Sequence, residues 1–319
     1  DTVDVDLLKK VEIMKGPSSV EYGSDGLAGT IAYFTKDPAD LVNDGKYLSI
    51  TTNYIEKNKQ EKVNLLAAYD KENTSGLIQL VNRSLEETKL HEDFSLESNP
   101  MEGDQQSIFA KLNVNVSSES KLTFIADLQE WESEWAINSE KGFIYFPSPR
   151  SISSSSGDDE GTRERFSVTL DISNQNELYD TASLSYYTQE TEQSQITIQN
   201  QVSFFGGMQA APTPTMRVRD FDFNQSIDGF AFEAFKSIGD HQMVYGIDIE
   251  DTETERPRML TEINLLTGIP SNIVDGETYP NKTFPDSETK RKALFFNDRF
   301  SFSDSSVLNI GFRYDDYEL

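Results

Sequence analysis

Cysteine is absent from the 319 residues, so no disulfide framework holds this chain together. Basic residues are scarce. Against 55 Asp and Glu there are 28 Lys and Arg, and the net charge of −27 repels phosphates and argues against a nucleic-acid partner. No apolar run approaches the ~18 residues of a transmembrane helix. That absence leaves open a membrane crossed by strands, each of which needs only about ten alternating residues. Apolar residues make up 36%, low for a soluble domain of this length. Low hydrophobicity with high charge is one signature of disorder, but 20 Phe and 13 Tyr count against it, because so many rings are costly to leave in water.

What is present is rhythm. Residues 1–45 are Gly-punctuated, with short strands expected at Leu7–Met14 and Gly29–Thr35 and turns at Gly16-Pro17-Ser18-Ser19 and Tyr22–Gly26, the first able to open one helical turn. This reads as a small α+β segment. From Lys46 onward the spacing predicts eleven strands, at 46–55, 60–70, 75–84, 105–116, 120–132, 163–173, 177–191, 218–236, 240–252, 290–302 and 306–317. In the fourth, Ile108, Ala110, Leu112, Val114 and Val116 share one face, and Ser107, Lys111, Asn113 and Asn115 the other. The eighth changes phase near Asp228-Gly229, which predicts a bulge.

The connections alternate in length. Tight turns are expected near 71–74, 117–119, 174–176, 237–239 and 303–305, and long polar loops at 85–104, 133–162, 192–217 and 253–289; only 56–59 breaks the pattern. Short turns at one end and long loops at the other mark a transmembrane β-barrel with lipid outside and water within. A membrane sheet must close to satisfy its backbone, and eleven strands leave two free edges, so more strands are expected beyond Leu319.

The stretch Val11-Glu12-Ile13-Met14-Lys15-Gly16-Pro17-Ser18-Ser19-Val20-Glu21-Tyr22-Gly23-Ser24, followed by the Gly29 strand, closely resembles the end of the plug domain in TonB-dependent outer-membrane receptors. Thr35–Leu41 looks like the link into the first barrel strand of the haem/haemoglobin branch. Arg256-Pro257-Arg258, the stretch 276–287 and Asn309-Ile310-Gly311-Phe312-Arg313-Tyr314-Asp315 are similar to barrel segments of that branch. The resemblance implies an all-β protein: a transmembrane antiparallel β-barrel, with about 11 of an expected 22 strands in residues 46–319, preceded by the C-terminal part of the plug in 1–45. It implies a monomeric barrel among outer-membrane lipids and active import driven through TonB with ExbB/ExbD. Haem, free or from a haemoprotein, would be the cargo rather than a permanently bound cofactor, and there would be no catalytic residue and no resident metal. A signal peptide and the TonB-contacting segment are expected upstream. A ferric-siderophore receptor is the alternative within the family; a plug-less porin or adhesin barrel is the alternative outside it.

Gly16, Pro17, Ser18, Ser19, Tyr22, Gly23, Ser24 and Gly29 are therefore expected to form plug turns. A phosphate loop is disfavoured there, because the G-K-[ST] ending is missing. His91 lies in a long outer loop, where a solvated histidine is the plain reading and a haem-iron ligand the functional one. His241 follows a tight turn, at the end away from incoming ligand, and is read as structural. Trp131 and Trp135 are read as an interfacial girdle, with ligand stacking as the lesser alternative. The run Ser151–Ser156 with Asp158, Asp159 and Glu160 is read as a solvated loop, and the acidic pairs Glu132/Glu134 and Asp248/Glu250 as chance neighbours in an acidic chain.

Overall fold

A computed structural model describes residues 4–15, 29–42, 44–89, 97–146, 148–205, 207, 209, 211–282, 284–303 and 305–319. A 3₁₀ turn, Val5–Leu7, leads into an antiparallel pair, β1 (Leu8–Lys15) and β2 (Gly29–Thr35). Then come β3 (Gly45–Ile55), β4 (Gln60–Lys71), β5 (Thr74–Glu86), β6 (Met101–Asn115), β7 (Ser120–Ala136), β8 (Gly142–Ile144), β9 (Arg150–Ile172), β10 (Thr181–Ser203), β11 (Thr213–Ile238) and β12 (His241–Glu255). The next connection carries β13 (Pro257–Asn264), β14 (Pro270–Ser271), β15 (Ile273–Val274), β16 (Glu277–Thr278) and β17 (Asn281–Lys282). Two long strands follow, β18 (Ser287–Ser303) and β19 (Ser306–Glu318). The main sheet runs β3-β4-β5-β6-β7-β9-β10-β11-β12-β18-β19, each strand antiparallel to the next, so all eleven expected strands are found in one sheet. Among the described residues its edges, β3 and β19, are not paired with each other.

The amino-terminal segment packs on one face of this sheet, here called the inner face: Leu7 lies against Leu66, Leu77, Val81 and Phe109, the last fully buried. Burying a leucine in this way contributes roughly 2 kcal/mol. Direct cross-strand pairing carries that face across the sheet. One row reads Asn113, Thr123, Thr169, Ser185, Ala231, Asp248, Ala293, Asp315 from β6 to β19. The adjacent outer row reads Val114, Leu122, Leu170, Leu184, Phe232, Ile247, Leu294, Tyr314. A small-and-polar row backed by an unbroken apolar one is what the period of two must produce when one side meets water and the other hydrocarbon.

Three expectations about length and phase are corrected. First, the strands overrun the apolar band: β10 has 23 residues, a span of about 75 Å, against the ten or so needed to cross a bilayer. The Ser151–Ser156 run and its acidic neighbours lie within β9, paired to β10, instead of in a loop. Above the membrane both faces are wet, so pairing continues after the alternation that reveals it has stopped. Second, β11 keeps a continuous register through Asp228-Gly229. The phase change there has another cause. Phe230 and Phe232 face outward in the apolar band, whereas beyond Asp228 the outer positions are Asp222 and Asp220 and the aromatic ones, Phe223 and Phe221, lie on the inner face. The bulge lies in β9, where the register with β10 shifts between Asn200 and Gln201, opposite Ser153-Ser154. Third, β10 begins at Thr181. Residues 173–180 form a longer turn organised by Asn176, whose side-chain oxygen accepts from the backbone N–H of Leu178 (2.8 Å) and Tyr179 (3.1 Å).

Candidate functional site

On the inner face, charges are paired along and across strands. Arg163 of β9 holds Asp127 of β7. The Tyr187 hydroxyl donates to Glu250 (2.6 Å), which also meets Arg291 (3.2 Å). Arg313 bridges Asp248 and Asp315, both at 3.0 Å. Asp248 and Glu250 thus have structural partners, while Glu132 and Glu134 lie on the exposed outer face opposite Glu160 and Asp158.

The amino-terminal segment is fastened to this wall by charge as well as by Leu7. Asp4 and Asp6 meet Arg83 at 3.2 and 2.8 Å, Asp6 also meets Lys62 at 2.8 Å, and Ser107 donates to Asp4 at 2.9 Å. Lys36 donates to the Asp6 carbonyl, and Gln79 donates to the same oxygen at 2.9 Å. Burial raises the Asp6 pKa, but hydrogen bonding and charge from Lys62 and Arg83 outweigh it and hold the carboxyl below its ordinary value of 3.8.

At the long-connection end, β13 lies beside β11 where β12 departs: β12 pairs from Ile238 to Asn224, and β13 from Phe221 to Thr215. This hairpin-rich stretch carries its own small core of Leu260, Val274 and Tyr279. It is clamped to the wall by Arg217, which donates to Glu262 (2.7 Å) and Asp275 (2.9 Å), with Arg150 3.8 Å from Asp275. Arg150 and Arg217 are both buried. Burial pushes the Asp275 carboxyl up, and hydrogen bonds from Arg217 and Ser148, with the charges of Arg217 and Arg150, bring it below its ordinary value. A cavity of about 880 Å³ opens beside this clamp, between Phe204, Phe205, Ile269 and Ile273.

Gly29 opens β2 opposite Lys15 at φ +151°, where an added Cβ would strike the Met14 carbonyl, so glycine is required. Gly16, Pro17, Ser18, Ser19, Tyr22, Gly23, Ser24 and His91 lie outside the described residues. His241 sits at a tight turn, with Nδ1 2.8 Å from Asp298 and its ring stacked on Phe300 at 4.4 Å. Trp131 and Trp135 share the inner face with Asp127 and Gln129 and are flanked on the outer face by Glu130, Glu132 and Glu134. They are therefore not a lipid-facing girdle. Trp131 lies over Gly161, in a gap that only glycine leaves. Sequence reasoning missed the Arg217 clamp because its partners are 45 and 58 residues away.

Residues 102–319 match the family model described as TonB dependent receptor-like, beta-barrel. Lactoferrin-binding protein A of Neisseria meningitidis serogroup B is 37% identical over 95 residues, 29% of this chain and 10% of that protein. Hemoglobin-binding protein A of Haemophilus influenzae is 26% identical over 200 residues, 59% of this chain and 20% of that protein. The chain thus spans a fifth or less of these relatives' length. Among solved structures, the siderophore receptor PiuA from Acinetobacter baumannii superposes with a TM-score of 0.62 at 11% identity, over 98% of this chain and 47% of that one. With the family model matched across β6 to β19 and a strand register that turns apolar side chains to lipid and polar ones inward, the chain belongs to the TonB-dependent receptor-like β-barrel family of the bacterial outer membrane.

Proposed function

We propose that this chain belongs to an importer that takes up haem, free or from a haemoprotein, with energy delivered through TonB by ExbB/ExbD. Residues 1–45 are the C-terminal part of its plug, with Gly16–Ser24 as plug turns, and 46–319 are the first half of a monomeric barrel. Haem is cargo, not a resident cofactor, and the protein performs no catalysis. The observation that carries the transport reading is the fastening of the amino-terminal segment to the polar inner face through Asp4 and Asp6. Ion pairs against a polar wall regain water as they part, so a segment held by them and by Leu7 separates more readily than one fused to the wall through an extended apolar core. Similarity to a hemoglobin-binding protein along 200 residues supports the choice of cargo.

The test is growth of a deletion strain under iron limitation. Loss of growth on haem and on haemoglobin, restored by the intact gene only when TonB is present, is the expected result. Loss of growth only on a ferric siderophore would move the cargo to the other branch, and uptake independent of TonB would overturn the importer reading.

A further inference from the structure

We propose that the outer face of β3–β7 carries a seat for one phospholipid of the periplasmic leaflet, with an acyl chain in an apolar hollow and an anionic headgroup on Lys46 and Lys71. The seat does not depend on which cargo is imported. Cross-strand pairing builds the hollow. One outer row, Ile50, Leu65, Leu80, Ile108 and Leu128, carries a branched butyl group at every position. The next row toward the tight turns reads Leu48, Ala67, Ile78, Ala110 and Ala126, so three of its five positions shrink to a methyl group. There a cavity of about 750 Å³ opens on the side that meets hydrocarbon, walled by Leu112 and Phe124.

The rim of the hollow is cationic. The third row begins Lys46, Tyr69, Gly76, and Lys71 follows Tyr69 on the same side, at the tight turn between β4 and β5. Short turns lie at the periplasmic end of such a barrel, so these side chains stand at the headgroup level of that leaflet, where a phenol and a long cation each span oil and water. The Tyr69 ring is laid over Gly76, where an added Cβ would come within 2.8 Å of it. Carboxylates outnumber basic side chains 55 to 28, and at the same end of the sheet Lys121 holds Asp171 at 3.4 Å and Lys236 holds Asp180 at 2.8 Å. Neither Lys46 nor Lys71 is ion-paired to a described carboxylate. Two ammonium groups beside an apolar hollow match a phosphate and the acyl chain below it. A zwitterionic headgroup, whose own amine offsets its phosphate, draws less on them.

The experiment adds phosphatidylglycerol or phosphatidylcholine of identical chains to the full-length receptor in detergent and counts retained lipids by native mass spectrometry. The wild type should retain one phosphatidylglycerol more tightly than phosphatidylcholine. Lys46→Gln/Lys71→Gln should weaken retention of phosphatidylglycerol about tenfold and leave phosphatidylcholine unchanged. Ala110→Leu, which fills the hollow from a lipid-facing position, should weaken both. Lys57→Gln/Lys292→Gln removes the same charge from exposed positions elsewhere and should change neither. The compact band in unheated gels separates a lost seat from a lost fold. Undiminished phosphatidylglycerol in the first variant, or an equal loss in the charge control, overturns the seat.

Discussion

The ring of Tyr187 on β10 lies over Gly229 on β11, and its hydroxyl reaches one strand further to donate to Glu250 on β12 at 2.6 Å. Three strands are tied by one side chain, and the middle one contributes by having none. A methyl group at position 229 would overlap the ring. Gly229→Ala is expected to destabilise the barrel by about 1–3 kcal/mol, seen as a lower temperature for loss of the compact band in unheated gels. Tyr187→Phe, which keeps the ring and loses only the hydroxyl, should cost less.

The amino-terminal segment should be sensitive to acid. Asp6 has a pKa below its ordinary value of 3.8. Its contribution to docking is therefore complete above about pH 4 and is lost as pH falls through the lowered folded value. Protection factors for amide exchange in Asp4–Lys15, which divide out the pH-dependent intrinsic rate, should be flat from neutral pH down to about 4 and fall below it. An onset near neutrality would point to other groups.

Arg83 supports the same dock. Arg83→Met leaves the buried Asp4 carboxylate without its cation, at an expected cost of about 3 kcal/mol. The amino-terminal segment should become cleavable by protease while the barrel band survives; a barrel lost together with it would argue against a separable dock.

Arg217→Met leaves the buried Glu262 without its cation and Asp275 with only the more distant Arg150, whereas Asp275→Asn leaves Arg217 its other partner. Exchange protection over 257–282 should fall strongly in the first variant and modestly in the second, with the main sheet unchanged in both. Equal effects would mean that the clamp is not centred on Arg217.

The two tryptophans offer an optical test. Both face inward, so bilayer lipids brominated on their chains should barely quench the intrinsic fluorescence of the reconstituted receptor once any tryptophan outside this chain is replaced. Strong quenching assigned to Trp131 would restore the girdle.

Much of this was legible in the residues themselves. Val114, Leu122, Leu170 and Leu184 alternate with polar neighbours because one side of each strand meets lipid, and that alternation located every long strand of the wall. The pattern failed where water touches both sides. Ser151–Ser156 reads as loop because no apolar residue marks its pairing, and Phe221 and Phe223 read as an irregularity because the dry side of β11 changes along its length. The Arg217 clamp and the Asp4–Arg83 contact join distant stretches, and nothing local announces them.

The bulge at Ser153-Ser154 acts as a parity switch. Below it odd-numbered residues of β9 such as Ser155 point inward, and above it even-numbered ones such as Ile152 and Arg150 do so. If the strand ran regularly through all of its residues, Ser153 and Ser151 would point inward and Arg150 would swing to the exterior, away from Asp275; the extra serine taken up at the bulge prevents this. Losing that serine would close the bulge and leave both faces as they are, whereas one residue inserted between Arg150 and Ile152 would reverse the side on which Arg150 lies.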